Sequence, residues 1–580
     1  MNLLLKPPRP RILPSRISYM VFLLASLACI TTYAWGWAKP DGHSGIKYLV
    51  VLHGIVLPAA LVCLRVHGSR EAGSRSDSRW TELRIPPIHI LAVLGLAIAT
   101  VLIGKSLENG RLISDESAYR FQARLFADGK LKADPMPRAA ADTKTPVELY
   151  FEQQIHSPTG WFSKYPPGWP LVLAVGYLAH LPWLLNPIFG LLQCLLIWIL
   201  ARPFGRDTQI IAIVMCALST YFLMWSVGFM AHGLDAVLCL LALGSTLRAT
   251  RSKRVGPIIT SMLLIVAATT VRPFTAAVLG IYCTAIAVYS FRSRPRDQIR
   301  VLLVMIVGAC IAGGMFLLIN QVFTGDPLLS PYALERGSRN IQEITLNAAE
   351  IFQNVRTTWR WAIADTVRST FPFMFLLAVY GLIRERMNRS VAVGLALFFP
   401  TLAVAYCVQS GGSGSFNGER FYFEGFAALA IISARGFCLL MREWNVDRRS
   451  VMKILAILSS LQILVTVFGI REILSTNHPY AKMYKYAHSL PPVPMAFLKD
   501  DSPQFTAKHV NWNQADWKRA ETIYLIDPGP ARRDEVACRF GRPHWRVITY
   551  DAQTDSVSAA DATARCNLQQ ERRPSGPREN

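Results

Sequence analysis

The 580 residues contain no CxxC pair and no Cys/His cluster at metal-ligand spacing, so no metal site is read from them. Charge is scarce: Asp, Glu, Lys and Arg make up 17% of the chain, against 52% hydrophobic residues. Acids are scarcer still, 38 against 61 Lys plus Arg, for a net charge of +23. Apolar runs too long for a soluble core then define a polytopic membrane protein. The positive excess does not read as a nucleic-acid surface. Most Lys and Arg sit in short clusters between apolar runs, where they orient spans in a bilayer. No internal repeat is visible. The basic N-terminus (Lys6, Arg9, Arg11, Arg16) leads into an apolar run with no small-residue cleavage site, read as an uncleaved first span. Nine of the 11 cysteines lie in or beside hydrophobic runs and read as small apolar packing residues. Cys538 and Cys566 alone fall in the polar C-terminal region, as candidates for a disulfide in an oxidising compartment.

Thirteen spans are expected, near 18–38, 47–66, 86–105, 186–202, 209–227, 232–249, 256–271 and 274–291, then 300–320, 370–384, 391–409, 421–441 and 451–471. A further apolar run, 169–185, decides the topology. If it does not cross, every Arg-rich connection lands on the cytoplasmic side, including 202–206, 248–254, 292–300 and 384–389. It is therefore read as an interfacial or re-entrant helix broken near Pro182. The N-terminus is then cytoplasmic and the C-terminus external. Residues 1–85 form a two-span extension, 86–474 the main membrane domain, 475–570 a small external α/β domain and 571–580 a disordered tail. Within the external domain, ETIYLIDPG (521–529) and HWRVITYD (544–551) are strand-like.

The most informative polar segment runs from 106 to 170. SDESAYRFQARLFADGK (114–130) predicts a short amphipathic helix with Ser114 as N-cap, Asp115 and Glu116 in its first turn, and Gly129 as its stop. Ala118, Phe121, Leu125 and Phe126 form its apolar stripe, which would lie along a membrane surface. Acids in a first turn complement the helix dipole, whatever else they do. Farther on come KYPPGWP (164–170), RPFTA (272–276), TGDPLLSPY (324–332) and ERFYFEG (419–425), all on the external side of this topology.

In order and sidedness these segments resemble the GT-C class of polyprenyl-phosphate-sugar-dependent membrane glycosyltransferases. The bacterial branch with protein O-mannosyltransferases and the lipid A aminoarabinose and galacturonic acid transferases is the most similar. The resemblance covers about residues 86–440. ERFYFEG departs from the expected Gly-Pro-Arg-Tyr form, with Asn417-Gly418-Glu419 before the arginine. It implies a GT-C-like fold of about 13 transmembrane helices, with interfacial helices in the first large external loop and a small C-terminal α/β external domain. It also implies a bacterial inner (cytoplasmic) membrane enzyme whose partners are a polyprenyl-phosphate sugar donor and a glycan, lipid or protein acceptor, with no cofactor or catalytic metal. The absence of an external DxD-type motif agrees.

Sugar transfer from a lipid phosphate requires a base for the acceptor hydroxyl and cations for the leaving phosphate. By resemblance Asp115 is the base, and Glu116 orients donor or acceptor. Lys164, Arg420 and Arg272 are the cations on the correct face, although Lys164 also suits a snorkelling lysine and Arg272 a helix anchor. Asp235 opens a span from the external side, where an acid is costly unless paired or working, and related transferases carry a second acid at a comparable place. His232 beside it suits a polar cap or a substrate contact. Tyr165, Trp161, Trp169, Trp361 and Tyr422 are candidates for stacking on sugar rings or for an interfacial aromatic belt. Two other classes compete: a transporter or flippase of a lipid-linked glycan, and a non-catalytic membrane scaffold. The missing inverted repeat and missing paired broken helices weigh against the first. The retained acid pair and Lys164 weigh against the second.

Overall fold

The computed structural model describes residues 87–110, 113–136, 151–335, 348–357, 364–409, 419–499, 506–514 and 516–566. The two spans expected within 1–85, Trp361 and the tail from 571 lie outside them. Helix α1 (Pro87–Ser106) leads into α2 (Asp115–Ala127). An antiparallel hairpin of β1 (Gln154–Ser157) and β2 (Gly160–Ser163) then gives onto α3 (Gly168–Leu178). The helical body continues through α4 (Leu185–Ala201), α5 (Arg206–Ala217), α6 (Thr220–Trp225), α7 (His232–Ser252), α8 (Gly256–Thr269), α9 (Pro273–Phe291) and α10 (Pro295–Thr324). After α11 (Pro331–Glu335) come α12 (Met374–Arg384), α13 (Arg389–Ala396) and α14 (Phe398–Gln409). A 3-10 turn (Arg420–Gly425) then precedes α15 (Phe426–Glu443) and α16 (Arg448–Ser489).

Seven helices among the described residues are long and apolar enough to cross a membrane, and four more apolar helices are shorter. Exposed Leu303, Ile306, Val307, Ile311 and Leu318 clothe the outside of α10 as a lipid-facing wall requires. With 11 residues, α3 is about 16 Å long at 1.5 Å per residue, half the hydrocarbon thickness. It ends at Leu178, ahead of His180, whose φ is +58°, and of Pro182, so this helix does not cross alone. The single span expected at 209–227 is instead two helices, α5 and α6, parted at Ser219. The Ser219 hydroxyl donates to the Met215 carbonyl (2.6 Å) and accepts from the Phe371 amide (3.0 Å), stabilising a break that hydrophobicity alone does not register.

Helices α12 and α15 cross at backbone contact. A β-carbon on Gly436 would lie 1.8 Å from the Leu377 carbonyl oxygen, and one on Gly381 would lie 2.6 Å from the Ile432 carbonyl oxygen. Such small-residue contacts substitute for the missing hydrophobic drive between helices in lipid. Gly436→Val is expected to separate this pair and cost more than the about 1–3 kcal/mol typical of overpacking. The check is thermal unfolding in detergent; an unchanged midpoint would show that the crossing is not close-packed.

Helix α16 is a 42-residue rod of about 63 Å, twice the hydrocarbon thickness, and it runs unbroken through residue 475. Its far end buries Tyr480, Met483 and Ala487 against the C-terminal sheet. That sheet has strand order β4-β3-β5-β6, formed by β3 (Met495–Leu498), β4 (Ile523–Ile526), β5 (His544–Asp551) and β6 (Ser556–Thr563). The first three run parallel and β6 is antiparallel to β5. Both strand-like segments of the sequence appear here, and Cys538 and Cys566 form a disulfide.

The apolar stripe of α2 is not free to lie on a membrane. Phe121 and Leu125 share one core with Trp161, Phe151 and the C-terminal sheet, while Ala118 and Ala123 are fully buried. Arg124 donates to the Asn511 carbonyl (2.7 Å), Asn511 donates to Gln154 (2.7 Å), and Trp517 donates to the Asp134 carbonyl (3.0 Å). The C-terminal domain therefore covers α2 where the amphipathic pattern suggested lipid.

Candidate active site

Helix α2 carries its acids at a fixed position. Arg120 donates to the Gly110 carbonyl (2.7 Å), and Gln122 joins the helix to β2 by accepting from the Ser163 amide (3.0 Å). Gly129, with φ of +72°, ends the helix as expected, its amide bonding to Phe126. Ser114 does not cap as expected: its backbone is already helical and no cap hydrogen bond forms. Its hydroxyl turns to Asp115 instead (3.3 Å).

Asp115 is buried and accepts from the Arg420 guanidinium at 2.8 Å. Burial alone would raise its pKa. Arg420, the Tyr165 hydroxyl and Lys164 outweigh burial and hold the carboxyl below the usual carboxylate range. Lys164 pairs with Glu335 (2.8 Å) and lies over the rings of Tyr165 and Tyr332. Tyr165 stacks on Tyr119 (4.4 Å between centroids) and meets Tyr332 edge-on (5.7 Å). The site thus has a charged floor and tyrosine walls. Glu116 faces elsewhere, fully buried, accepting from the Phe229 amide (2.9 Å) in the turn before α7.

The 164–170 segment is tied to the turn just before the 272–276 segment through Gly168, whose amide donates to the Thr270 carbonyl at 2.8 Å. A β-carbon there would meet Thr270 at 2.3 Å, so only glycine permits the approach. Beyond it lies a second charged group. Glu424, fully buried, pairs with Arg272 and lies 2.9 Å from His232 Nδ1. Arg272 also donates to the Tyr406 hydroxyl (2.9 Å), which is 2.7 Å from Thr275. Burial works against the Arg272 charge, but Glu424 and Tyr406 hold it firmly protonated. Asp235 is fully buried with Glu424 and Arg272 as charged neighbours, and neither carboxylate oxygen has a hydrogen-bond partner among the described residues. The two charged groups meet at Phe421, whose ring lies under both Arg420 (5.2 Å) and Arg272 (5.7 Å) and stacks on Tyr406.

The structure therefore gathers Asp115, Lys164, Tyr165 and Arg420 in one group, with His232, Asp235 and Arg272 in the adjoining one. Glu116 is held instead by the Phe229 amide. Trp161, Trp169 and Tyr422 are fully buried and offer no face to a sugar. Sequence reasoning missed Glu335 and Glu424. The signal for Glu424 was present, since an acid at the edge of a span singled out Asp235 and applies equally here. The 3-10 turn puts Phe421 and Glu424, three residues apart, on one side facing Arg272.

Buried acids and paired cations at one end of a many-helix membrane body fit the GT-C-like architecture implied by the sequence. Comparison with solved structures shows that fold. The chain is similar to ArnT from Cupriavidus metallidurans in the apo state, at 13% identity and TM-score 0.50, over 81% of this chain and 94% of that one. ArnT from the same organism bound to undecaprenyl phosphate matches at 12% identity and TM-score 0.49, over 80% and 93%. The arabinosyltransferase EmbB from Mycobacterium smegmatis matches at 15% identity and TM-score 0.35, over 78% and 47%. No protein-family model and no curated protein matches the sequence.

Proposed function

We propose that this protein is an inverting glycosyltransferase that moves a sugar from a polyprenyl-phosphate donor to an acceptor hydroxyl at the outer face of a bacterial inner membrane. The Asp115–Arg420 pair beside Lys164 carries this reading. The acceptor oxygen attacks the anomeric carbon as the bond from that carbon to the phosphate oxygen breaks. The proton passes to Asp115, and polyprenyl phosphate leaves with both bonding electrons. A single displacement inverts the anomeric centre. The scheme draws on side chains alone. In the resting site Arg420 neutralises Asp115 and weakens it as a base. A donor phosphate competes for the same guanidinium and, by drawing it away, restores the basicity of Asp115 when a substrate is present. Lys164 supplies a second charge to the phosphate. Glu116 acts by holding the 228–231 turn, while Arg272, His232 and Asp235 line the donor or acceptor path.

Incubation of the purified protein with radiolabelled polyprenyl-phosphate sugars and a bacterial envelope extract as the source of acceptor tests the reading: donor is consumed, label passes to the acceptor and polyprenyl phosphate is released. Binding without consumption would point to transport. Lys164→Ala is expected to weaken donor binding tenfold or more, the about 1.5–3 kcal/mol of a charge-assisted contact. Equal retention of labelled donor by variant and wild type would remove Lys164 from the phosphate site.

Sidedness has its own test. In a background without the native free cysteines, a cysteine replacing Arg251 should resist an impermeant thiol reagent in intact spheroplasts, and one replacing Lys518 should react. Labelling at 251 from outside would overturn the external placement of the site.

A further inference from the structure

Where the C-terminal domain meets α16, four rings form an ordered group. His488 stacks between Tyr484 (3.9 Å between centroids, 25°) and Tyr524 (5.9 Å, 21°). The Trp512 indole stands across this stack, nearly perpendicular to Tyr484, His488 and Tyr524 at 5.5, 6.0 and 5.4 Å. His488 is exposed, and Tyr484 and Trp512 are half-buried, so the group reaches solvent. The backbone on both sides of Trp512 is pinned. Asn511 is held by Gln154 and Arg124, and Asn513 exchanges two hydrogen bonds with the Tyr524 backbone (both 2.8 Å). His488 Nδ1 lies 2.9 Å from the Tyr484 carbonyl, which can only accept, leaving Nε2 as an acceptor at the rim.

An interfacial aromatic belt would place such rings at headgroup level. Tyr484 lies 13 residues beyond Arg471, the first charge after the apolar part of α16, hence about 20 Å farther along the helix. Headgroups extend only about 5–8 Å beyond the hydrocarbon on each side, so these rings stand clear of lipid. They are nevertheless close to the candidate site. Arg124, which holds Asn511, is nine residues along α2 from Asp115, about 13 Å.

We propose that Trp512, Tyr484 and His488 form a carbohydrate-binding platform for a saccharide portion of the acceptor. A preset aromatic face with polar groups at its edge matches a pyranose ring, whose C–H face packs on an aromatic ring while its hydroxyls reach rim donors and acceptors. This deepens the glycosyltransferase reading and rests on it: the acceptor is a glycan or glycolipid, held several sugar units from the hydroxyl that reacts.

The test applies full-length protein in detergent to an array of bacterial surface oligosaccharides and measures donor consumption separately. Wild type is expected to bind one class of glycan. Trp512→Ala should lose tenfold or more in affinity, and His488→Ala, an exposed change that leaves the core intact, should lose severalfold. Asp115→Asn should bind glycan as wild type does. Wild-type protein that binds no glycan, or His488→Ala and Trp512→Ala proteins that bind unchanged, would overturn the platform even if donor is consumed. Glycan binding that depends on Trp512 in a protein that never consumes donor would leave the platform standing and defeat the enzymatic reading.

Discussion

Folded Asp115→Asn protein should lose about 10²–10⁴-fold in sugar transfer, the usual cost of removing a positioned base. Asparagine keeps the size of the side chain and an oxygen to face Arg420, but it cannot take a proton. Were Asp115 only a dipole partner for α2, the change would cost about 0.3–1 kcal/mol of stability and leave turnover nearly intact. The ion pair with Arg420 makes one further distinction. If Asp115 merely holds Arg420 for the phosphate, the loss appears as weaker donor binding with turnover at saturation preserved. A base predicts the reverse, a fall in kcat at nearly constant donor affinity. Near wild-type transfer by a folded variant would remove Asp115 from the chemistry. Acid should act in the same direction. Because the carboxyl is held below the ordinary range, the pairing with Arg420 contributes fully above the unfolded value and is lost as pH falls through the folded one.

Glu424→Gln should be among the most destabilising single changes in the membrane body. Its carboxylate is fully buried and neutralises the largely buried Arg272 guanidinium. Removing one partner of a buried pair leaves an uncompensated charge, at about 3–5 kcal/mol. Replacing both partners by residues of similar shape often costs little. Glu424→Gln combined with Arg272→Met should therefore recover most of the lost stability, read as the thermal midpoint in detergent, while sugar transfer stays low. A single variant as stable as wild type would mean that Arg272 finds another anion, and Asp235, with both oxygens unpartnered among the described residues, would be the one to remove next.

Some of this was legible because it is local. The stop of α2 at Gly129, the strand over His544–Asp551 and the shortness of the 169–185 helix follow from residues adjacent in sequence. The charges of the candidate site were legible one by one. Their partners were not, because Lys164 and Glu335 stand 171 residues apart and Asp115 and Arg420 stand 305 apart. The amphipathic pattern of α2 gave an apolar face but not its cover, since lipid and a protein core call for the same side chains. The break at Ser219 hid within a hydrophobic average to which one hydroxyl contributes little.

The hydrogen bond from Arg124 to Asn511 also orders events in time. Its two residues are 387 positions apart, so at about 5–20 residues per second the earlier waits roughly 20–80 s for the later to be made. During that interval α2 has no cover for Phe121 and Leu125, and the candidate base has no settled position. In the proposed topology, the final strands must also cross the membrane before Cys538 and Cys566 can meet an oxidant. A half-made chain in the bilayer therefore holds the acid, lysine and arginines of the candidate site while α2 still lacks its cover, and the C-terminal domain supplies that cover.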